Sequence, residues 1–146
     1  MSERASDEAV ELFRFGGPDS LNQIVLRLDA FQPRLAEGAI EISGGASGSF
    51  RTLVADLDLD AWRECLDNLD IDRGENGDRV AWRAGARAIE VHVEWDWEET
   101  VTVTVTDRMS AMVSVSMMIE GIDDRWFDDA YARLNAVYAR VDQAAL

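Results

Sequence analysis

Residues 89–106, IEVHVEWDWEETVTVTVT, alternate apolar and polar side chains almost without a break. Successive side chains of an extended chain point to opposite sides, so this period of two demands strands with one buried and one wet face. Ile89, Val91, Val93, Trp95 and Trp97 make one face, and Glu90, His92, Glu94, Asp96 and Glu98 make the other. For Val101, Val103 and Val105 to share the face of Val93, Trp95 and Trp97, the connection must hold an odd number of residues. Glu98, Glu99 and Thr100 are the natural three, and Asp107, Arg108 and Met109 likewise join Val105 to Ala111. With RVAWR (79–83) before and AMVSVSMMI (111–119) after, the connections are too short for parallel crossovers, so a four-stranded antiparallel meander is expected. Pairing Trp82 with Ile89 then sets Arg79 opposite His92 and leaves Arg83 nearby.

The first half carries weaker versions of the same signal. VELFRF (10–15) reads as an edge strand, GGPDS as a turn, and NQIVLRLDAF (22–31) as a second strand with Ile24, Leu26 and Leu28 on one side. After a loop, QPRLAEG, come AIEIS (39–43), the glycine-rich connection GGASG, and SFRTLVADL (49–57). Trp62, Cys65, Leu66 and Leu69 then fall at helical spacing in LDAWRECLDNL, with Asp58 or Asp60 as the cap. A longer helix starts near Asp124 behind an Asp123 cap, its stripe running Trp126, Phe127, Ala130, Tyr131, Leu134, Val137, Tyr138 and Val141. This helix should cover the Trp and Val face of the meander. The expected fold is α+β: a mainly antiparallel sheet of about eight strands, as two hairpins and a meander, with a short middle helix and a long C-terminal helix packed on it. Residues 1–9 are expected to be loosely ordered and 10–146 to form one globular domain.

Charge narrows the partners. There are 29 acidic residues against 14 basic ones, all of them Arg, for a formal net charge of −15. Such a field repels nucleic acid and anionic lipid and steers basic proteins in, although acidity also serves solubility or a saline cytoplasm. No apolar run approaches the ~20 residues that span a bilayer, and the acidic start is unlike a signal peptide, so a cytoplasmic location is expected.

Little in the sequence can carry catalysis. His92 is the one histidine, which removes the motifs that need two. Glu90, His92 and Glu94 project from one strand face at spacings of ~7 Å, too wide to grip a small cation unaided. GGASGS lacks the Walker pattern and precedes a strand, and Ser43, Ser47 and Ser49 show no nucleophile elbow. Cys65 lies on a buried stripe and cannot form an internal disulfide. No catalytic residue, metal site or cofactor is expected, and the tryptophans read chiefly as core.

The element order, with the helix DLDAWRECLDNL, the paired meander and a terminal helix opening DDRWFDDAY, resembles an uncharacterised actinobacterial family of small acidic domains. That family is itself reminiscent of WapI-type toxin-immunity proteins, and the resemblance spans roughly residues 10–142. It implies a non-enzymatic module that binds a basic protein, such as a toxin. The expected docking residues are Glu90, His92, Glu94, Asp96 and Glu98, beside the hydroxyl rows Thr102, Thr104, Thr106 and Met112, Ser114, Ser116. Met112 and Met118 on that face leave a homodimer open. The alternative is a small-molecule binder or metabolic enzyme with a pocket between sheet and helix, lined by Trp95, Trp97 and Tyr131.

Overall fold

A computed structural model describes residues 8–45, 47–71, 73, 78–83, 89–108 and 113–146. Its chain order is β1 (Val10–Phe15), β2 (Gln23–Gln32), β3 (Leu35–Ser43), β4 (Gly48–Ala55), α1 (Asp56–Ile71), β5 (Arg79–Trp82), β6 (Ile89–Trp97), β7 (Thr100–Asp107), β8 (Val113–Glu120) and α2 (Asp124–Ala144). The strands form two four-stranded antiparallel sheets, β1-β2-β3-β4 and β5-β6-β7-β8. The α+β expectation holds, and the first four strands form a second continuous meander where two hairpins were expected.

That difference has a local cause. The segment 32–38 is not a loop: Gln32 pairs with Leu35 across the two-residue turn Pro33-Arg34, and Arg34 takes the left-handed conformation at φ 65. Gly38, which looked like loop punctuation, lies inside β3 opposite an irregularity in β2 between Leu28 and Ala30. A Cβ at residue 38 would sit 2.0 Å from the Arg27 carbonyl oxygen, so only glycine lets the strands close here. A second bulge, between Glu11 and Phe13 in β1, breaks the alternation and buries Leu12 and Phe13 together.

Helix α1 begins at Asp56, three residues before the apolar spacing announces it. Asp58 is the third helical residue, and its Oδ2 accepts the backbone N–H of Ala55 at 2.9 Å, the reciprocal half of a capping box. Asp60, the other cap candidate, accepts the Tyr138 hydroxyl. The stripe Trp62, Cys65, Leu66 and Leu69 is buried as its spacing predicts. Two indoles tie the helix to the second sheet: Trp82 Nε1 donates to the Asp58 carbonyl at 2.8 Å, and Trp95 Nε1 to the Leu69 carbonyl at 3.2 Å.

Asp123 caps α2 as expected, its side chain accepting the Trp126 backbone N–H at 2.9 Å. The helix does not lie over the Trp and Val face of the second meander as expected: it packs most extensively along β1 and α1 and reaches the second sheet through Phe127, whose ring centroid is 6.4 Å from that of Trp95. Trp126 Nε1 donates to the Arg14 carbonyl at 2.9 Å, so α2 covers the outer edge of β1. Helix α1 does the same for β5 through Cys65 Sγ and the Ala81 carbonyl, 3.6 Å apart. The apolar faces of both sheets and both helices meet in one core, in which Phe13 touches both Trp62 and Trp82.

Candidate docking face on the second sheet

The polar face of β6, β7 and β8 contains the expected docking residues, and register decides what each can do. Trp82 pairs with Val91, so Arg79 stands opposite Glu94 and Ala81 opposite His92, two residues away from the expected pairing. Arg83 turns back at φ 65 and lies over the Trp82 ring, 4.8 Å from its centroid. The β6–β7 register holds the predicted parity as far as Trp95, which pairs with Val101 as Val93 does with Val103. Beyond that point the expectation fails. Trp97 pairs with Thr100, leaving Asp96 as an extra residue and Glu98-Glu99 as the turn. The bulge swings Trp97 off the core face to join Thr100 and Thr102, and it is 52% exposed. Asp96 confirms the geometry, since its Oδ2 accepts the Thr102 hydroxyl at 2.6 Å.

The acidic row is therefore not uniform. Glu90 is only 3% exposed, and its Oε1 accepts Arg108 Nη2 at 2.7 Å and lies 3.4 Å from His92 Nε2. A carboxylate buried in this way serves as an internal counter-ion, and Glu90 cannot itself meet a macromolecular partner. His92, Glu94 and Asp96 are half-buried, while Glu98 and Glu99 project freely. Across β7 and β8 the face is hydroxylated, with Thr104 and Ser116 in contact at 2.7 Å and Thr106 and Ser114 at 3.2 Å. Met118 lies opposite Thr102 and is 47% exposed; Met112 lies outside the described residues. The face is thus pinned by an ion pair at one end and opens at the other on Trp97, Met118 and the turn acids.

The expected lining of a small-molecule pocket does not converge. Trp95 is buried against Phe127, Trp97 projects from the other face, and the Tyr131 hydroxyl donates to Asp67 at 2.6 Å. Burial first, then the Asp67 bond, raises the Tyr131 phenol above its ordinary value. Trp95 borders two shallow hollows of about 140 and 200 Å³. A groove of about 370 Å³ lies elsewhere, between the β1–β2 turn and the start of α2, where Arg14, Arg125 and Arg133 face Glu120, Asp123 and Asp129 around Trp126. Its residues come from two distant segments, 14–20 and 120–133, so no local pattern announces it. Near it Glu11 meets Arg14 Nη2 at 2.7 Å, and Arg27 and Arg133 at 3.4 Å. The Arg14 hydrogen bond holds the Glu11 carboxyl below its usual value. Burial pushes the Cys65 thiol up to about 12, far from a nucleophile's range. Among the described residues no group of three or more His, Cys, Asp or Glu could hold a metal ion, and no helix is long and apolar enough to cross a membrane.

Two meanders sharing one core, sealed at two sheet edges by helices, define a small α+β domain whose most distinctive surface is this polar sheet face. The chain belongs to the family of unknown function DUF5959, whose model matches residues 10–142. No curated protein and no solved structure matches it.

Proposed function

We propose that the protein is a non-enzymatic acidic module that binds a basic protein, and that it is an actinobacterial cytoplasmic immunity protein neutralising a toxin, as its resemblance to WapI-type proteins implies. The observation that carries this reading is Trp97, turned outward by the Asp96 bulge on the strand face that also bears Glu94, with the exposed Glu98 and Glu99 following it in the turn. A large aromatic side chain near carboxylates matches an Arg or Lys side chain that can stack on the indole while its charge meets the acids. The −15 charge steers such a partner from a distance. The test is titration of the basic product of an adjacent toxin gene against the wild type, Trp97→Ala and the triple variant Glu94→Gln, Asp96→Asn, Glu98→Gln. Trp97→Ala should weaken binding about 30-fold, the ~2 kcal/mol of a hot-spot residue, and the triple variant should flatten the salt dependence. Binding that neither set of changes affects would remove the face from consideration.

A second reading, a small-molecule-binding protein or metabolic enzyme, has the groove beside Trp126 in its favour, because its three arginines and three carboxylates suit a ligand carrying both charges. A thermal-shift screen of amino acids and short peptides, repeated with Arg125→Ala, tests it directly.

A further inference from the structure

The groove beside Trp126 is lined by charged side chains, and several of them are already committed. Arg14 is spent: Nε and Nη2 bond Glu11, while Nη1 reaches the Gly16 carbonyl and Gln23 Oε1. Arg133 turns to Glu11, 3.4 Å away, and Asp123 caps the Trp126 N–H. Arg125, Asp129 and Glu120 remain. All are exposed groove residues, and none of their side chains has an ion-pair or hydrogen-bond partner among the described residues. Arg125 and Asp129 stand one turn apart on α2 without pairing, the cation-before-anion order being the weaker one on a helix.

The walls are held by bonds of their own. The Gly17 N–H donates to Ser20 Oγ and the Ser20 N–H to the Gly17 carbonyl, both at 2.9 Å, and Gln23 Nε2 donates to the Pro18 carbonyl at 3.3 Å. These bonds brace the β1–β2 turn from within. Trp126 is fixed by its indole bond to Arg14 and by Phe15, whose ring centroid lies 5.1 Å away. Gly121, at φ 84, borders the groove without adding a side chain to it. A concavity of about 370 Å³ with braced walls is the size of a small-ligand site.

We propose that this groove binds a free dibasic amino acid of the arginine, lysine or ornithine class. The inference rests on the second reading above, that the groove takes a ligand carrying both charges, and it names that ligand. The uncommitted guanidinium of Arg125 calls for a carboxylate, and the uncommitted Asp129 and Glu120 call for two cationic groups. A dibasic amino acid carries that set. A phosphate does not fit, because its negative charges would face Glu120 and Asp129. The half-buried Trp126 ring offers the aliphatic stem an apolar surface and the side-chain cation a π face.

The test is calorimetric titration of the full chain with L-arginine, L-lysine and L-ornithine up to about 10 mM, high enough to saturate a submillimolar site. Salt at about 0.15 M screens diffuse attraction to the acidic surface. Three analogues each lack one charge: agmatine the carboxylate, Nα-acetyl-L-arginine the ammonium, and L-citrulline the side-chain cation. L-Arginine should bind saturably and each analogue about tenfold more weakly. Arg125→Ala should weaken L-arginine about tenfold and leave agmatine unchanged, a split that a merely structural effect would not produce. Asp129→Asn and Glu120→Gln should weaken both ligands, with circular dichroism as in wild type because these side chains are exposed. Agmatine or L-citrulline binding as tightly as L-arginine, or L-arginine binding untouched by Arg125→Ala and Asp129→Asn, would overturn the proposal. If a neutral amino acid or short peptide binds as well as L-arginine or better, and Arg125→Ala weakens it, the dibasic assignment falls while the groove reading stands. Silence from every amino acid, peptide and analogue would remove both.

Discussion

Replacing Gly38 with alanine should be among the most damaging small changes available to this chain. The added Cβ would stand 2.0 Å from the Arg27 carbonyl oxygen and 2.7 Å from Leu28 Cα, both of them backbone atoms of β2. An ordinary carbon to oxygen contact is ~3.3 Å, so β2 must retreat by about 1.3 Å, and no rotamer change can absorb that. The retreat loosens the ladder bonds on either side, at about 0.5–1.5 kcal/mol each, and opens space beneath Leu26 and Leu28, which are fully buried. Together these give a loss of about 2–4 kcal/mol, a large fraction of a domain's usual margin. Urea denaturation monitored by circular dichroism measures it, with Gly45→Ala as the control, because a Cβ at residue 45 meets nothing within 4 Å. Gly38→Ala should unfold at distinctly lower urea and Gly45→Ala at the wild-type midpoint. A Gly38→Ala midpoint within ~0.5 kcal/mol of wild type would refute the β2–β3 register and the bulge that creates the contact.

Other consequences are simpler to state. Glu11→Gln should cost about 1–2 kcal/mol at pH 7 by loosening its contacts with Arg14, Arg27 and Arg133. The folded-state pKa is lowered, so this stabilisation is present above the unfolded carboxyl value and is lost as pH falls through the folded one. Melts of the two proteins should accordingly differ at neutral pH and draw together as the pH falls below the ordinary carboxyl value of about 4.3. Glu99 holds φ 60 in the β6–β7 turn, so Glu99→Gly should raise stability by about 0.5–1 kcal/mol in the same urea titration. Asp123→Ala removes the cap of α2 and should lower the melting temperature by about 2–4 °C, the equivalent of ~1 kcal/mol. Cys65 should resist thiol reagents at pH 8 until the chain is unfolded, which a colourimetric thiol assay with and without denaturant checks.

Strict period-two and helical patterns translated directly into structure: the 91–95 and 101–105 faces, the α1 stripe and the Asp123 cap all stand where their spacing puts them. What escaped were the places where one residue breaks the count. At Leu12, Asp29 and Asp96 a bulge changes the parity of everything that follows in the strand, and alternation carries no mark of it. Gly38 misled because a glycine demanded by close backbone approach looks the same in sequence as one demanded by a turn. Glu90 misled because a polar position on a wet-looking face can be covered by an arginine 18 residues along the chain. The candidate face was thus half legible: its polar rows could be read, but its aromatic end depends on a register that sequence spacing alone misassigns.

The indole bond from Trp126 to the Arg14 carbonyl spans 112 positions of chain. During synthesis the first meander can emerge and pair locally, yet its first strand keeps an open edge until the last helix leaves the ribosome. Strands, helix and second meander must all be made before that edge is shut, so the first sheet is not an autonomous early-folding unit. A translation pause before residue 124 would leave that edge uncovered, the circumstance in which nascent chains of this size meet chaperones or one another.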